Sequence, residues 1–126
     1  MAMTYPVLET PRLLLPPLSL SDVAGIQEHF AHWEIIQHLS ERVPWPYPAD
    51  GAKQFVTDVC LPAIERGVQL IWAIRLKTQP NETIGLIDYR WEDNDGYGNR
   101  GFWLAQHLHG QGYMTEAITA LQDYIY

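Results

Sequence analysis

Cysteine is almost missing from this chain. Cys60 is the only one, which excludes an internal disulfide and fits a reducing, cytoplasmic setting. Positive charge is also scarce. Lys and Arg number 8 against 15 Asp and Glu, for a net charge of −7. Nonspecific nucleic-acid binding depends on basic side chains neutralising phosphates, so that class is disfavoured, whereas basic or amine-bearing partners are compatible with the charge. No apolar run nears the roughly 20 residues of a membrane span. The opening "MAMTYPVLETPRLLL" lacks the basic region and long apolar stretch of a secretory leader. There is no internal repeat and no low-complexity linker, and "VPWPYP" is too short to divide domains. Residues 1–126 therefore read as a single domain, burying about two-thirds of its unfolded surface.

What is present alternates between two periodicities. "RLLLPPL" (12–18) predicts a first strand stopped by Pro16 and Pro17. Ser19 or Ser21 can cap a helix from about Asp22, with Val23, Ile26 and Phe30 on its apolar face. "EIIQHL" extends the helical character. From Ala49 a further helix is marked by Ala52, Phe55, Val56, Val59, Cys60, Ala63 and Ile64. Pro62 must interrupt or kink it, and Gly67 suits its C-cap. "VQLIWAIRL" (68–76), "TIGLIDYRW" (83–91) and "RGFWLA" (100–105) are rich in β-formers and joined by polar turns, which predicts an antiparallel meander. A last helix follows, with Met114, Ala117, Ile118, Leu121, Tyr124 and Ile125 on one face. The order β-α-α-β-β-β-α is an α+β layout, helices packed on a mostly antiparallel sheet.

Between the last strand and the last helix lies "QHLHGQG". Glycines before a helix start let backbone N–H groups turn inward, where the helix dipole and unpaired N–H groups favour an anion, best a phosphate. Two glycines serve a tight loop equally well. The loop is no P-loop, since Tyr113-Met114 stands where Lys-Ser/Thr would follow the last glycine. It also lacks the third glycine and parallel βαβ setting of a dinucleotide fingerprint.

"FWLAQHLHGQGYMTEA" resembles the acetyl-CoA-binding motif of the GNAT superfamily of N-acetyltransferases, whose core reads Q/R-x-x-G-x-G/A. "LETPRLLLPPLSLSDV", "HWEIIQHL" and "IGLIDY" are similar, in the same order, to segments of the RimJ/RimL-like branch of ribosomal-protein alanine acetyltransferases. Gly110 and Gly112 take the core positions, and His107 stands where Gln or Arg is usual. The resemblance implies a GNAT-like acyl-CoA N-acyltransferase fold. Such proteins continue past the third helix with further strands, so the chain is expected to lack C-terminal strands and to stop at or within that helix.

The resemblance also implies direct transfer of acetyl from acetyl-CoA to a primary amine, a protein N-terminus or a small molecule, in a ternary complex. The pantetheine is placed along Trp103, Leu104 and Ala105, and the pyrophosphate against the N–H groups of His109, Gly110, Gln111, Gly112, Tyr113, Met114 and Thr115. Strand alternation puts Trp103 and Ala105 on one face and Leu104 on the other. The amine must lose a proton before it attacks. Asp88 is the candidate base, on one face with Ile84 and Leu86; Glu34, Glu92 and Asp95 are other carboxylates that could line the acceptor cleft, and each of the four reads equally as an ordinary surface carboxylate. Trp33, Trp45 and Tyr47 either cap the core or wall the acceptor pocket. Five histidines, with His29 and His32 at i, i+3, form no recognisable set of three or four convergent ligands, so no metal is expected. A second reading is a catalytically silent acyl-CoA-binding or interaction module: without a further strand the last one has an open edge, which a homodimer would cover.

Overall fold

The computed structural model describes residues 5–30, 48–91 and 98–125. Five strands form one sheet in the order β1-β2-β3-β4-β5, every neighbour antiparallel. They are β1 (Leu8–Glu9), β2 (Leu13–Leu15), β3 (Gln69–Leu76), β4 (Gly85–Trp91) and β5 (Gly98–Leu104). Among the described residues the helices are α1 (Val23–Phe30), α2 (Gly51–Phe55), α3 (Leu61–Glu65) and α4 (Tyr113–Ile125). This is the α+β architecture expected from the meander and its flanking helices.

Two details differ from the sequence reading. The strand β1 was not expected; two residues are too few to show a period. The prolines after β2 also do not end its pairing. Proline lacks a donor but keeps its carbonyl, and the Pro16 carbonyl accepts from the Ala73 N–H at 2.8 Å. Pro17 still bridges Trp72, and the Leu18 N–H donates to the Ile71 carbonyl at 2.9 Å.

Pro62 acts as anticipated, with a specific outcome. It cannot donate to the carbonyl four residues back, and the turn before it widens into a π-helical segment, Val56–Cys60, between α2 and α3. There the Leu61 N–H reaches the Val56 carbonyl, five residues away. The segment "EIIQHL" lies outside the described residues.

The sheet separates two apolar clusters, and β3 shows why. Leu70, Trp72 and Ile74 point to one face and pack with Leu13, Leu15, Ile87, Leu104, Ala117 and Leu121, under α4. Ile71 and Ala73 point to the other and pack with Ile26, Ala52, Val56, Cys60 and Leu86, under α1 to α3. A strand covered on both faces reads as a continuous apolar run, which is what "LIWAI" is. Trp72 is fully buried, and its indole N–H donates to the Pro6 carbonyl at 3.0 Å. Tyr5 and Tyr124 meet its ring edge-on, at centroid distances of 5.0 and 5.7 Å.

One buried charge ties α1 to the sheet. Asp22 is fully buried. It accepts from the Ser19 N–H at 2.9 Å, from Arg75 at 2.7 Å and from the Thr83 hydroxyl. Its local role is to close the first turn before α1, as an N3 carboxylate does. Breaking a buried pair by removing one partner strands the other charge. We expect Asp22→Ala to lose about 3–5 kcal/mol of stability, measured by urea unfolding; a loss under about 1 kcal/mol would contradict this role.

Candidate cofactor site

The site is built where β5 leaves the sheet. After Leu104 the chain makes a 3-10 turn, Gln106–Leu108, then runs His109-Gly110-Gln111-Gly112 into α4. Gly110 has φ of 78° and Gly112 a φ of 83°, both in the left-handed region that side chains disfavour. These two residues turn the loop. A Cβ at Gly110 would meet nothing within 4 Å, so backbone conformation alone requires glycine there. At Gly112 a Cβ would also lie 3.3 Å from Arg12 Nη2.

The backbone groups divide sharply at His109. The Ala105 N–H donates to the Ile84 carbonyl at 2.8 Å, Leu108 to Ala105 at 3.0 Å, and His109 to Gln106 at 3.1 Å. The first helical donor of α4 is Glu116, to the Gly112 carbonyl at 3.0 Å. Between them, the N–H groups of Gly110, Gln111, Gly112, Tyr113, Met114 and Thr115 donate to no backbone carbonyl among the described residues. A row of N–H groups at the positive end of a helix is an anion cradle. His109, placed in that row by the sequence reading, spends its N–H in the turn. Its ring instead donates from Nε2 to the Leu104 carbonyl at 2.7 Å.

Alternation fails at the end of β5, with two consequences. Leu104 and Ala105 both join the cluster under α4, while Trp103 packs on the opposite cluster. The expectation that Trp103 and Ala105 share a face is therefore corrected: β5 ends at Leu104, and Ala105 already begins the turn. Likewise Ile84 precedes β4 and joins the cluster under α4, while Leu86 joins the other. Ile84 and Leu86 thus do not share a face as expected.

Asp88 stands opposite Ile71 on β3 and Gly101 on β5. It is half-buried, and its Oδ2 accepts from Gln69 Nε2 at 2.6 Å. Leu86 pairs with Trp103, so Asp88 is one position further along the face to which Trp103 belongs. Cys60 lies beneath the same face. Burial, with the Asp88 carboxylate adding, pushes its thiol up to about 12, so no thiolate chemistry operates there at neutral pH. Trp33, Trp45, Tyr47, Glu34, Glu92, Asp95 and His32 lie outside the described residues.

The sequence reading missed the residues that hold the loop. Arg12, from the β1–β2 hairpin, donates from Nε to Glu116 Oε1 at 2.8 Å and from its backbone N–H to Glu116 Oε2 at 3.0 Å. Its Nη1 donates to the Gln111 carbonyl at 3.0 Å, and its guanidinium lies 4.2 Å over the Tyr113 ring. The Thr10 hydroxyl completes the grip on Glu116, and itself accepts from the Leu13 N–H at 2.9 Å. The partners stand about a hundred positions apart in sequence, and no short-range pattern joins them.

His107 stands at the motif position where Gln or Arg is usual; its ring packs against His29, with centroids 5.7 Å apart. His29 in turn pairs with Glu82 at 2.9 Å, and Glu28 brings a third possible ligand atom within 4.8 Å of the others. Glu82 belongs to the β3–β4 turn, so spacing on one helix could not reveal this group.

Residues 12–126 match the Acetyltransferase (GNAT) domain family. The chain belongs to the GNAT acetyltransferases, a class of acetyl-CoA-dependent N-acetyltransferases. None of the curated protein sequences matches it. Among solved structures it is similar to the ribosomal-protein α-N-acetyltransferase RimL in complex with coenzyme A, with 20% identity and a TM-score of 0.74 over 94% of this chain and 67% of that one. An acetyltransferase from Agrobacterium tumefaciens shares 26% identity, with a TM-score of 0.65, over 98% of this chain and 68% of that one. MccE, a microcin self-immunity acetyltransferase in complex with acetyl-CoA and AMP, shares 18% identity with a TM-score of 0.69; the match covers 91% of this chain and 63% of MccE. The chain thus spans about two-thirds of the length of these relatives.

The Glu116 carboxyl carries a pH signature. Burial works to raise it, but the Thr10 hydroxyl, the Arg12 hydrogen bonds and the Arg12 charge outweigh burial and hold it below the ordinary value. A depressed carboxyl stabilises the fold above its unfolded pKa, about 4.3, and that contribution is lost as pH falls through the folded value. Glu116→Gln should lower stability at neutral pH and flatten the loss of stability on acidification. Urea unfolding at pH 7 and pH 3.5 checks both; an unchanged pH slope would contradict the shift.

Proposed function

We propose that this chain binds acetyl-CoA through the loop from Gly110 to Thr115 and transfers its acetyl group to a primary amine by direct attack. The observation that carries the reading is the row of six N–H groups at the start of α4 that donate to no backbone carbonyl among the described residues, in a loop turned by two left-handed glycines, in a chain of the GNAT family. The pyrophosphate would take these donors, and the pantetheine would run along the open edge of β5 past Trp103 and Leu104. Binding both substrates in line removes much of the entropic barrier. The two similar structures that hold coenzyme A or acetyl-CoA support the cofactor assignment.

Asp88 is our candidate for the base that takes the amine proton. It is half-buried, on the face bearing Trp103, and one of its oxygens is held by Gln69. A carboxylate there would accept the proton directly or through one water. Trp33, Trp45 and Tyr47 would wall the acceptor pocket. A protein N-terminus as acceptor is supported by the similarity to RimL, and a small-molecule amine by the similarity to MccE. The chain is proposed as a single cytoplasmic domain.

A second reading rests on β5 being an edge strand of the sheet among the described residues. An open edge beside the cofactor cleft suits a module that binds acyl-CoA without turnover, or one whose cleft a second copy completes. Calorimetry with acetyl-CoA, followed by CoA release with peptides bearing free N-terminal Ala or Ser, separates the readings. Binding with turnover supports transfer; binding without it supports the silent module; no binding by folded protein sinks both. Gly112→Ala forces a side chain into a left-handed φ, costing about 1–2 kcal/mol, and presses on Arg12. It should weaken acetyl-CoA binding by about tenfold.

A further inference from the structure

We infer that Arg12 is a cofactor-binding residue: a guanidinium delivered by the β1–β2 hairpin to the pyrophosphate loop, held in place by Glu116. The inference rests on the reading of Gly110–Thr115 as the pyrophosphate loop. It begins from a deficit. A pyrophosphate is doubly anionic, yet no Lys or Arg stands between Gly101 and Tyr126, and the chain as a whole carries −7. His107, at the motif position where a basic or amide side chain is usual, packs against His29 instead.

Arg12 fills the deficit from outside the motif. Three of its contacts fix the side chain: Nε on Glu116, Nη1 on the Gln111 carbonyl, and the guanidinium plane stacked on Tyr113. The Nη2 group has no hydrogen-bond partner among the described residues and lies 3.3 Å from where a Cβ of Gly112 would sit. The side chain is 44% exposed, so the guanidinium is not sealed from solvent. A planar guanidinium offers five donors in a fixed fork; two are used here, and three remain beside Gly112. Glu116 neutralises part of the charge but also aims it. Its carboxylate is gripped by Thr10 as well as Arg12, so guanidinium, loop and helix start form one rigid unit. Glycine at 112 then has a second purpose, since a side chain there would push against the donor.

The test compares two ligands that share one arm. Coenzyme A carries that arm on a pyrophosphate and 3′-phosphoadenosine; pantetheine carries the arm alone. Coenzyme A binding is measured by calorimetry and pantetheine binding by ligand-observed NMR, with thermal melts on every variant. Arg12→Gln should bind coenzyme A about tenfold more weakly, the scale of one lost charge-assisted hydrogen bond, and pantetheine as the unaltered chain does. Arg12→Lys, which keeps the charge without the fork, should recover part of the coenzyme A affinity. If Arg12→Gln does not fold, the same comparison is made with Arg12→Lys, where a loss confined to coenzyme A supports the assignment. Equal weakening of both ligands would show that Arg12 only shapes the fold, and unchanged coenzyme A affinity would show no contact; either overturns the inference. Failure of the unaltered chain to bind coenzyme A overturns the cofactor reading itself, a result distinct from these.

Discussion

The grip of Thr10 and Arg12 on Glu116 is the contact on which the candidate site depends. It spans 106 and 104 positions of sequence and joins the first hairpin to the first turn of the last helix. Helix α4 buries Ala117 and Leu121 on the sheet face lined by Trp72 and Ile74, but apolar packing is non-directional. It would allow the helix to slide or rotate by part of a turn. The bonds to Glu116 from Arg12 Nε, the Arg12 backbone N–H and the Thr10 hydroxyl set its direction and depth, and the Arg12 Nη1 bond to the Gln111 carbonyl extends that registration into the glycine loop. The free N–H row is consequently held at the end of β5, at the start of the surface where a pantetheine arm would lie.

The two faces of the sheet divide the labour. One face, under α4, carries the larger cluster and leads into the glycine loop. The other, under α1 to α3, holds Leu86, Asp88 and Trp103. Alternation along β4 and β5 is what keeps the two apart, and it breaks where the loop begins. Gly85 marks that break: a Cβ there would sit 2.5 Å from the Trp103 carbonyl, so only glycine lets β5 approach closely at its exit. A cofactor crossing from the loop to the Trp103 face would pass this close contact.

Much of this was legible in the sequence because the signals are local. "VQLIWAIRL" reads as a strand, Pro62 as a disturbance of its helix, and "HGQG" before an amphipathic helix as a turn with exposed N–H groups. The resemblance of several segments in order identified the family that residues 12–126 match. Less legible were the features that depend on where an element ends or on distant partners. Trp103 and Ala105 were assigned one face because alternation was carried one residue too far; the strand stops at Leu104 and the turn rotates Ala105 under α4. His109 was counted among the anion donors because a 3-10 turn of three residues leaves no periodic mark, and that turn consumes its N–H. Arg12 and Glu116 went unnoticed because each alone is an ordinary surface charge, and only the fold brings them together.

The central claim is that the six N–H groups from Gly110 to Thr115 receive the cofactor's pyrophosphate. Titrating coenzyme A into isotope-labelled protein and following backbone amide resonances tests this most directly. The account predicts that Gly110, Gln111, Gly112, Tyr113, Met114 and Thr115 show the largest downfield shifts, as free donors gain charged acceptors. The amides of Ala105 and His109, already bonded to carbonyls, should move little. Coenzyme A that binds while the six amides hold still would contradict it.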